Sequence, residues 1–411
     1  MATSGFTQKE KKTLIACCGA HVVQDGLVAL QYVLLPVLAQ IFQLNYAQVG
    51  LLRGLGSTVS SLLEIPAGIL SERIPSRRLV VFGLVCAGLG YVGMSFAYGF
   101  LSLAIFILVA GFGSGFQHSL SSSLIVNGMA ATRSRKAMGL YNACGDGGKL
   151  LFTGLFSIGI GIGFAWNWII LALGLAAIGF GLMCIKLLNH APSPRLIAQK
   201  NHSASPEASE EKSRAFSFYN WGVREPRRFL LLLVVVCFDS LCQAVILTFL
   251  GFVMLEKGVG EGVASLAVVI LLVGGMLGKA ASGYGASRFG DRWVFLAMQL
   301  LTVPGILVLV WASGSVILVL LPLIGLVVQG TSTITYGSVA DLVDRDRHSR
   351  GYALIYSVSG VASVGGPVLM GWLADLRGLD VTLAVLAFIA LIPALMVGIF
   401  SSNVPDSRDA P

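Results

Sequence analysis

Long apolar runs are the feature that most constrains how this chain can fold. Twelve stretches are dominated by apolar side chains, and each reaches the length of about 20 residues that an α-helix needs to cross a bilayer. They lie at residues 14–42, 47–71, 79–97, 101–127, 137–160, 164–188, 228–254, 261–286, 293–313, 315–340, 351–375 and 379–401. The sequence therefore predicts an all-α membrane protein with twelve transmembrane helices.

The composition extends this prediction to nearly the whole chain. Of the 411 residues, 55% are hydrophobic and only 12% are charged, whereas a soluble domain carries about 25% charged residues. The 50 glycines suit a helix bundle in lipid, where small residues let helices approach one another closely. All 7 cysteines lie inside apolar spans without the spacing of metal ligands, so we interpret them as small hydrophobic side chains.

Positive charge indicates how the chain is oriented in the membrane. Nearly all of the 28 Lys and Arg lie on one side, and only Lys257 and Arg377 lie in loops on the other. Because cytoplasmic loops carry the excess of Lys and Arg, both termini are predicted to be cytoplasmic in a multi-pass protein of the cell inner membrane. This topology accounts for the net charge of +8, so the lipid bilayer, and not nucleic acid, is the predicted partner.

The chain divides into two halves of similar sequence. A polar connector at residues 189–227 separates an N-terminal half, residues 1–188, from a C-terminal half with a short tail, residues 228–411. The end of the connector mixes aromatic residues with Arg, which suits a segment on the membrane surface, and a simple tethering loop is the alternative. An offset of 215 residues aligns Gly68 with Gly283, Arg73 with Arg288, Gly115 with Gly330, Ser134 with Ser349 and Tyr141 with Tyr356. Duplicated six-span halves are typical of transporters with a substrate site near the bilayer midplane.

Two loops carry a recognisable signature. Residues 68–78, after the second span, read Gly-Ile-Leu-Ser-Glu-Arg-Ile-Pro-Ser-Arg-Arg, and residues 283–292, after the eighth, read Gly-Tyr-Gly-Ala-Ser-Arg-Phe-Gly-Asp-Arg. Both resemble the loop signature of the major facilitator superfamily, G-x-x-x-D-R-x-G-R-[RK], although the acidic position holds Glu72 in the first loop and Ser287 in the second. The resemblance implies two pseudo-symmetric six-helix halves, in which spans 1, 4, 7 and 10 line a central cavity.

Within this superfamily the first half is most similar to the fosmidomycin-resistance efflux group. The similar positions lie in spans 1, 4 and 5: His21, Asp25, Pro36, Gly113, Ser114, His118, Ser121, Ser122, Gly145 and Gly147. The chain departs from that group after His118, where the group shows Pro-Glu and this chain has Ser119 and Leu120, and at Asp146, where the group shows Asn. The likeness implies proton-coupled efflux, with the acidic coupling residue of span 4 missing.

Charged side chains in the middle of spans are the first candidates for function, because such charges are costly and are kept mainly beside a partner or a polar pathway. Asp25 in span 1 can bind a proton in one conformation and release it in another, or it can be a fixed anchor between helices. His21 lies one turn before Asp25 on the same face, and His118 lies near the middle of span 4. Histidine can carry a proton near neutral pH, so both are candidates for proton coupling, with packed core positions as the alternative.

Asp146 and Lys149 form a second candidate group in span 5, where their spacing of three residues lets them pair along one helix face. In the structural interpretation they neutralise each other and so tolerate burial. In the functional interpretation Lys149 binds an anionic group of a substrate while Asp146 balances the charge. Arg53, in the outer half of span 2, either binds an anion or extends to the surface.

The second half offers its own candidates for substrate binding. Asp239 and Gln243 lie on span 7, two of the residues that would line the cavity in the fold that the resemblance implies. Span 10 would add Gln329, Thr331, Thr333 and Tyr336. Asp239 is displaced by one residue from the position that the repeat pairs with Asp25.

Charged residues at the inner ends of the spans are candidates for gates. Glu64 and Lys279 occupy the same repeat position with opposite charge, so they can pair between the halves. Alternatively Lys279 reaches Asp146, or each residue makes a static contact between helices. The signature loops supply further gating candidates, which the resemblance assigns to a lock on the inner side: Glu72, Arg73, Arg77, Arg288 and Arg292.

These observations predict a secondary active transporter that works by alternating access, driven by a proton gradient and without a cofactor or metal. The sequence has no phosphate-cradling loop or catalytic triad, so we expect no enzyme activity. We expect a monomer that exports a small anionic or amphiphilic compound in exchange for protons. Proton-symport uptake of an organic anion is the alternative within transport, and a transport-dead sensor or scaffold is the alternative outside it.

Overall fold

The computed structural model describes residues 6–71, 73–129, 131–189, 222–344 and 348–397, and nearly all of them are helical. In chain order the helices are α1 (Gln8–Phe42), α2 (Tyr46–Leu70), α3 (Ser76–Met94), α4 (Phe100–Ser114), α5 (His118–Gly128), α6 (Ala131–Gly161), α7 (Trp166–Leu187), α8 (Pro226–Glu256), α9 (Glu261–Phe289), α10 (Asp291–Trp311), α11 (Gly314–Gly337), α12 (Val339–Leu342), α13 (His348–Arg377), α14 (Leu379–Ile389) and α15 (Leu391–Leu395). Helices form throughout because lipid offers no hydrogen bonds, so each backbone N–H and C=O must be paired within its own segment.

Each predicted span coincides with one helix or with two consecutive helices. The fourth span is α4 followed by α5, with a break at residues 115–117. The twelfth span is α14 followed by α15, with a break at Ala390, and its last residues lie outside the described part of the chain. The prediction of an all-α membrane fold is therefore confirmed.

Two long helices are less apolar than the others. Nine helical segments of the described residues are long and apolar enough to cross a membrane, and α2 and α6 are not among them. Their sequences hold many glycines together with charged residues, such as Arg53 and Glu64 in α2 and Asp146 and Lys149 in α6. The helices that fall short in hydropathy are thus two of those that carry candidate functional residues.

The chain forms two compact units, and their boundaries do not follow the sequence halves everywhere. One unit comprises Met1–Val37 with Leu55–Arg214, and the other comprises Leu38–Gly54 with Ala215–Pro411. The turn between α1 and α2 and the helix ends beside it therefore pack with the second unit. The predicted division into 1–188, 189–227 and 228–411 stays a prediction, and residues 190–221 of the connector lie outside the described part.

Glycines permit close helix packing inside each unit. A Cβ added at Gly113 of α4 would lie 2.4 Å from the carbonyl oxygen of Gly83 in α3. A Cβ at Gly278 of α9 would lie 2.2 Å from the carbonyl oxygen of Leu326 in α11. Larger residues would push these helix pairs apart, which is the packing that small residues allow in membranes.

The end of the connector is held by protein contacts in its described part. The backbone N–H of Arg224 donates to the carbonyl of Leu342, and that of Asp344 donates to the carbonyl of Gly222, each at 2.9 Å. An ion pair of 2.8 Å joins Arg224 to Asp344, and Val223 is buried in an apolar cluster of the second unit. The aromatic residues on which the expectation of a membrane-surface segment depends, Phe216, Phe218, Tyr219 and Trp221, lie outside the described residues, so that expectation stays a prediction.

Candidate functional site

Asp25 is the centre of a group of ionisable side chains contributed by α1, α5 and α6. Its Oδ2 lies 3.4 Å from Nε2 of His21 and 3.3 Å from Nζ of Lys149, and its Oδ1 lies 3.6 Å from Nε2 of His118. The ammonium of Lys149 also lies 3.0 Å from Oδ1 of Asp146. We call these five residues the ionic cluster.

Local helix geometry accounts for the two contacts of the cluster that lie within a single helix. His21 and Asp25 are four residues apart on α1, and Asp146 and Lys149 are three residues apart on α6, so each pair shares a helix face. His118 is the first residue of α5, directly after the break at the end of α4. That break places an imidazole at the end of a helix, where it reaches Asp25 on a different element.

A glycine of α6 lets this helix pack closely against His21 and Asp25 of α1. A Cβ added at Gly145 would lie 2.5 Å from Nε2 of His21 and 3.0 Å from Oδ2 of Asp25, so no other residue fits without moving the ionisable groups. Gly148, one turn further, comes equally close to the backbone of Val22. Gly147, the other glycine of the predicted motif, faces open space, so it is not needed for packing.

Tyr141 of α6 fixes the orientation of His21. Its backbone oxygen lies 2.8 Å from Nδ1 of His21, and its ring stacks on the imidazole with a centroid distance of 4.1 Å. The tyrosine hydroxyl donates to Oε1 of Gln117 at 3.2 Å. The sequence distinguishes Tyr141 only as a match between the two repeats, and it does not distinguish Gln117. The available signal was the position of Tyr141 one turn before Gly145, on the face of α6 that meets α1.

The hydrogen bond to Tyr141 determines where the protons of His21 lie. A backbone carbonyl only accepts, so Nδ1 must carry a hydrogen. In the neutral imidazole Nε2 would then point a lone pair at the carboxylate of Asp25, and the two would repel. A second hydrogen on Nε2 converts this contact into a charge-assisted hydrogen bond. The geometry therefore suits a protonated His21.

The donor atoms of His21, Asp25 and His118 also lie within 4.8 Å of one another, close enough to share a metal ion. Two imidazoles and one carboxylate are a ligand set that transition metals accept. However, the ammonium of Lys149 already lies against the carboxylate of Asp25, and it supplies positive charge where a metal would. The arrangement as a whole suits a proton better than a metal ion.

The second unit contains a separate polar site on α8 and α11. Asp239 is 5% exposed, and its Oδ2 accepts hydrogen bonds from Oγ1 of Thr331 at 2.8 Å and from Nε2 of Gln243 at 2.9 Å. The structure thus brings together three of the predicted residues, Asp239, Gln243 and Thr331. We call these three residues the Asp239 site.

The other substrate-binding candidates lie in different surroundings. Gln329 is buried against α9, where a Cβ at Gly275 would lie 2.5 Å from its amide carbon, and its buried Nε2 has no hydrogen-bond partner in the described part of the chain. The ring of Tyr336 packs against Tyr356 at a centroid distance of 5.3 Å. Arg53 is buried, so its side chain does not extend to the surface.

The gating candidates make contacts of several kinds. Arg77 donates to the carbonyl of Asn189 at 2.6 Å, Arg288 donates to the hydroxyl of Tyr284 at 3.3 Å, and Arg292 lies over the ring of Trp293 at 5.7 Å. Glu64 is half-buried, Arg73 is exposed, and the backbone oxygen of Lys279 accepts a hydrogen bond from Thr333.

Glu72 lies outside the described residues. The predicted Glu64–Lys279 gate and the lock formed by the signature loops stay predictions.

Known proteins share the sequence pattern and the fold. Residues 17–260 and 232–411 match the sequence profile of the Major Facilitator Superfamily. The uncharacterised MFS-type transporter YfnC of Bacillus subtilis (strain 168) is 24% identical over 388 residues, which cover 93% of this chain and 90% of the relative. The class G tetracycline resistance protein of Vibrio anguillarum is 35% identical over 121 residues, which cover 28% of this chain and 30% of the relative.

A solved structure extends the likeness to three dimensions. A bacterial homolog of the human lysosomal transporter Spinster, in an inward-facing and occupied conformation, superposes on 96% of this chain and 97% of its own chain. The TM-score is 0.78 and the sequence identity is 14%, so the similarity is one of fold.

Proposed function

This chain belongs to the major facilitator superfamily, and from that premise we propose that it is a proton-coupled secondary transporter that exports a small amphiphilic compound in exchange for protons. The ionic cluster carries the proton, with His21 and Asp25 as the pair that binds it. When the proton leaves, the ammonium of Lys149 stays between the carboxylates of Asp25 and Asp146 and offsets part of their negative charge.

The orientation of His21 is the observation that supports this proposal. Its Nδ1 donates to the Tyr141 carbonyl, so a proton on Nε2 completes the contact with Asp25 at 3.4 Å. With both imidazoles neutral, the cluster has two carboxylates facing one ammonium and a net charge of −1. One bound proton makes the cluster neutral. Because charge inside a membrane protein is costly, a single proton is the cation that this group is built to accept.

Antiport requires that the substrate and the proton exclude each other. A hydrogen-bond donor group of an amphiphile can replace Nε2 of His21 as the partner of Asp25, and the proton then leaves to the solvent. The exposed part of the cluster suits such an approach, since the side chain of His118 is 43% exposed and that of Lys149 is 34% exposed. Local similarity to a tetracycline resistance protein supports export of a compound of this kind.

Proton symport of an organic anion is a second candidate, and one contact favours it. Nζ of Lys149 is shared between Asp25 at 3.3 Å and Asp146 at 3.0 Å. Protonation of Asp25 weakens its hold on the ammonium, which can then turn to a carboxylate or phosphonate of a substrate. In this scheme proton and anion bind together, whereas in antiport they compete.

Flux measurements on the purified chain in proteoliposomes test both schemes. An imposed pH gradient is applied in either direction, with tetracycline as the amphiphilic probe and fosmidomycin and benzoate as anionic probes. Antiport predicts that a probe moves against the direction of the proton, and symport predicts that it moves with the proton. Flux that ignores the pH gradient, or no flux with any probe, contradicts the proposed proton coupling.

Asp25→Asn is the decisive variant for the ionic cluster. The amide keeps the shape of the side chain but has no negative charge to hold a proton on Nε2 of His21, so we expect flux driven by the pH gradient to fall to the level of empty liposomes. Asp380→Asn, at an exposed carboxylate in the first turn of α14, is the matched control and should transport like the natural protein. Undiminished gradient-driven flux in Asp25→Asn would remove Asp25 from the mechanism.

A further inference from the structure

A second mid-span carboxylate, Asp239, lies in surroundings unlike those of Asp25. Asp25 is next to an ammonium and two imidazoles. Asp239 is 5% exposed and takes part in no salt bridge with any residue that the structure describes. Its hydrogen-bond donors there are a hydroxyl and an amide, so no positively charged group in the Asp239 site offsets a negative charge.

The groups around Asp239 come from the helices that pack against α8. These are α9, α11, α12, α13, α14 and α15. Of their described side chains, the hydroxyl of Thr331 on α11 is the one that bonds Asp239. The titratable group beside Asp239 is the thiol of Cys242 on α8 itself. Among the residues that the structure describes, no salt bridge joins a Lys, Arg or His side chain to Asp239.

The hydrogen bonds are distributed unequally over the two carboxyl oxygens. Thr331 at 2.8 Å and Gln243 at 2.9 Å both donate to Oδ2, and neither bond reaches Oδ1. In a carboxylic acid the carbonyl oxygen is the stronger acceptor and the hydroxyl oxygen carries the proton. An arrangement in which Oδ2 is the carbonyl and Oδ1 the hydroxyl explains why both donors converge on one atom. An ionised carboxylate buried in this way would face the desolvation penalty of a charge with no cation to offset it.

We infer that Asp239 is a second proton-binding site, which holds a proton on Oδ1 in this conformation. The two halves of the chain then use mid-span carboxylates in different states. Asp25 is ionised beside cations, and Asp239 is a neutral acid that donates its proton only when its surroundings change. That this proton is exchanged during transport rests on the proposed function; that it is bound does not.

The two states have different chemical uses. A carboxylate already paired with cations can change partners without a large change in charge, which suits a substrate or a proton arriving from water. Ionisation of a neutral acid in an apolar span is costly, so the acid releases its proton only when water or another proton acceptor reaches Oδ1. If both sites exchange their protons, the transporter carries two protons in each cycle instead of one.

Infrared difference spectroscopy of the full chain in lipid tests the inference without any substrate. A protonated carboxylic acid has a C=O stretch separate from the amide and carboxylate bands, and that stretch shifts in heavy water. We expect the natural protein to show this band at neutral pH and Asp239→Asn to lack it. Asp25→Asn should keep the band, because Asp25 is the ionised member of the pair.

Thr331→Val provides a second variant, which removes one donor and leaves Asp239 in place. The carbonyl Oδ2 loses one of its two hydrogen bonds, so the C=O stretch should move to higher frequency. The inference is overturned if the spectrum that Asp239→Asn removes consists of carboxylate bands, or if Thr331→Val leaves the acid band where it was. Should flux be absent from all probes while the acid band is present, the proposed function fails and the second proton site stands.

Discussion

At the scale of single residues, the ionic cluster depends on a position that has no side chain. Gly145 faces His21 and Asp25 across the contact between α6 and α1, and the space that a Cβ would need is already occupied by their functional atoms. Two residues further along the same helix, Gly147 faces open space. Substituting alanine at either glycine changes the helix propensity of α6 in the same way. Only alanine at position 145 also places a methyl group against the cluster, so comparing the two variants isolates the effect of that contact.

We predict that Gly145→Ala destabilises the protein and Gly147→Ala does not. The new methyl of Gly145→Ala would lie 2.5 Å from Nε2 of His21, and overpacking of this kind typically costs about 1–3 kcal/mol. Gly147→Ala should instead stabilise α6 by up to about 1 kcal/mol, because alanine is the better helix former. Thermal unfolding in detergent measures both, and flux driven by a pH gradient should be lost only in Gly145→Ala. Equal melting temperatures for the two variants would contradict the close approach.

At the scale of elements, the segment before α8 is tied to the segment after α12 by two different kinds of contact. Arg224 and Asp344 form an ion pair in which both side chains are about half exposed. Beside them Leu342 is 3% exposed and belongs to the apolar cluster with Val223, Val343 and Phe229. Exposed ion pairs contribute little to stability, whereas buried leucines contribute much.

The apolar contact should therefore hold this junction and the ion pair should not. Leu342→Ala is expected to lower the free energy of unfolding by about 2–5 kcal/mol, as buried leucines do. Asp344→Ala removes an exposed ion pair, which is expected to cost about 0.2–1 kcal/mol. Unfolding monitored by tryptophan fluorescence in detergent gives both values. A larger loss in Asp344→Ala than in Leu342→Ala would mean that the ion pair is the principal contact.

At the scale of the whole molecule, the sequence halves and the compact units differ at Leu38–Gly54, which precedes the connector but packs in the second unit. The carboxylate of Asp375 accepts hydrogen bonds from the backbone N–H groups of Tyr46 at 2.7 Å and Ala47 at 2.9 Å, and the hydroxyl of Tyr46 donates to Glu256 at 2.5 Å. A Cβ at Gly50 would lie 2.2 Å from the carbonyl oxygen of Pro367. The second unit is therefore incomplete without residues from the first sequence half.

Fragments divided within the connector should consequently associate when produced together. We expect residues 1–205, produced with residues 206–411 carrying an affinity tag, to purify with the tagged fragment. Gly50→Val should reduce that recovery several-fold, because its side chain meets the backbone of α13, whereas Gly68→Ala, whose Cβ would face open space, should not. Recovery of the two fragments in equal amount despite Gly50→Val would show that this contact is dispensable.

The sequence by itself determined the membrane fold and the residues of the ionic cluster. Helical periodicity is local, so the pairs His21–Asp25 and Asp146–Lys149 could be predicted from their spacing. The cost of charge in lipid singled out Asp25, Asp146, Lys149 and Asp239. Only the tertiary structure decided which of these groups meet. Whether Lys149 bonds Asp25, whether Tyr141 orients His21 and whether Asp239 has a cation nearby depend on how helices distant in sequence pack, and on the glycines that set their separation. Sequence spacing carries no information about the neighbour on another helix, and that neighbour determines whether a carboxylate in the membrane is ionised or protonated.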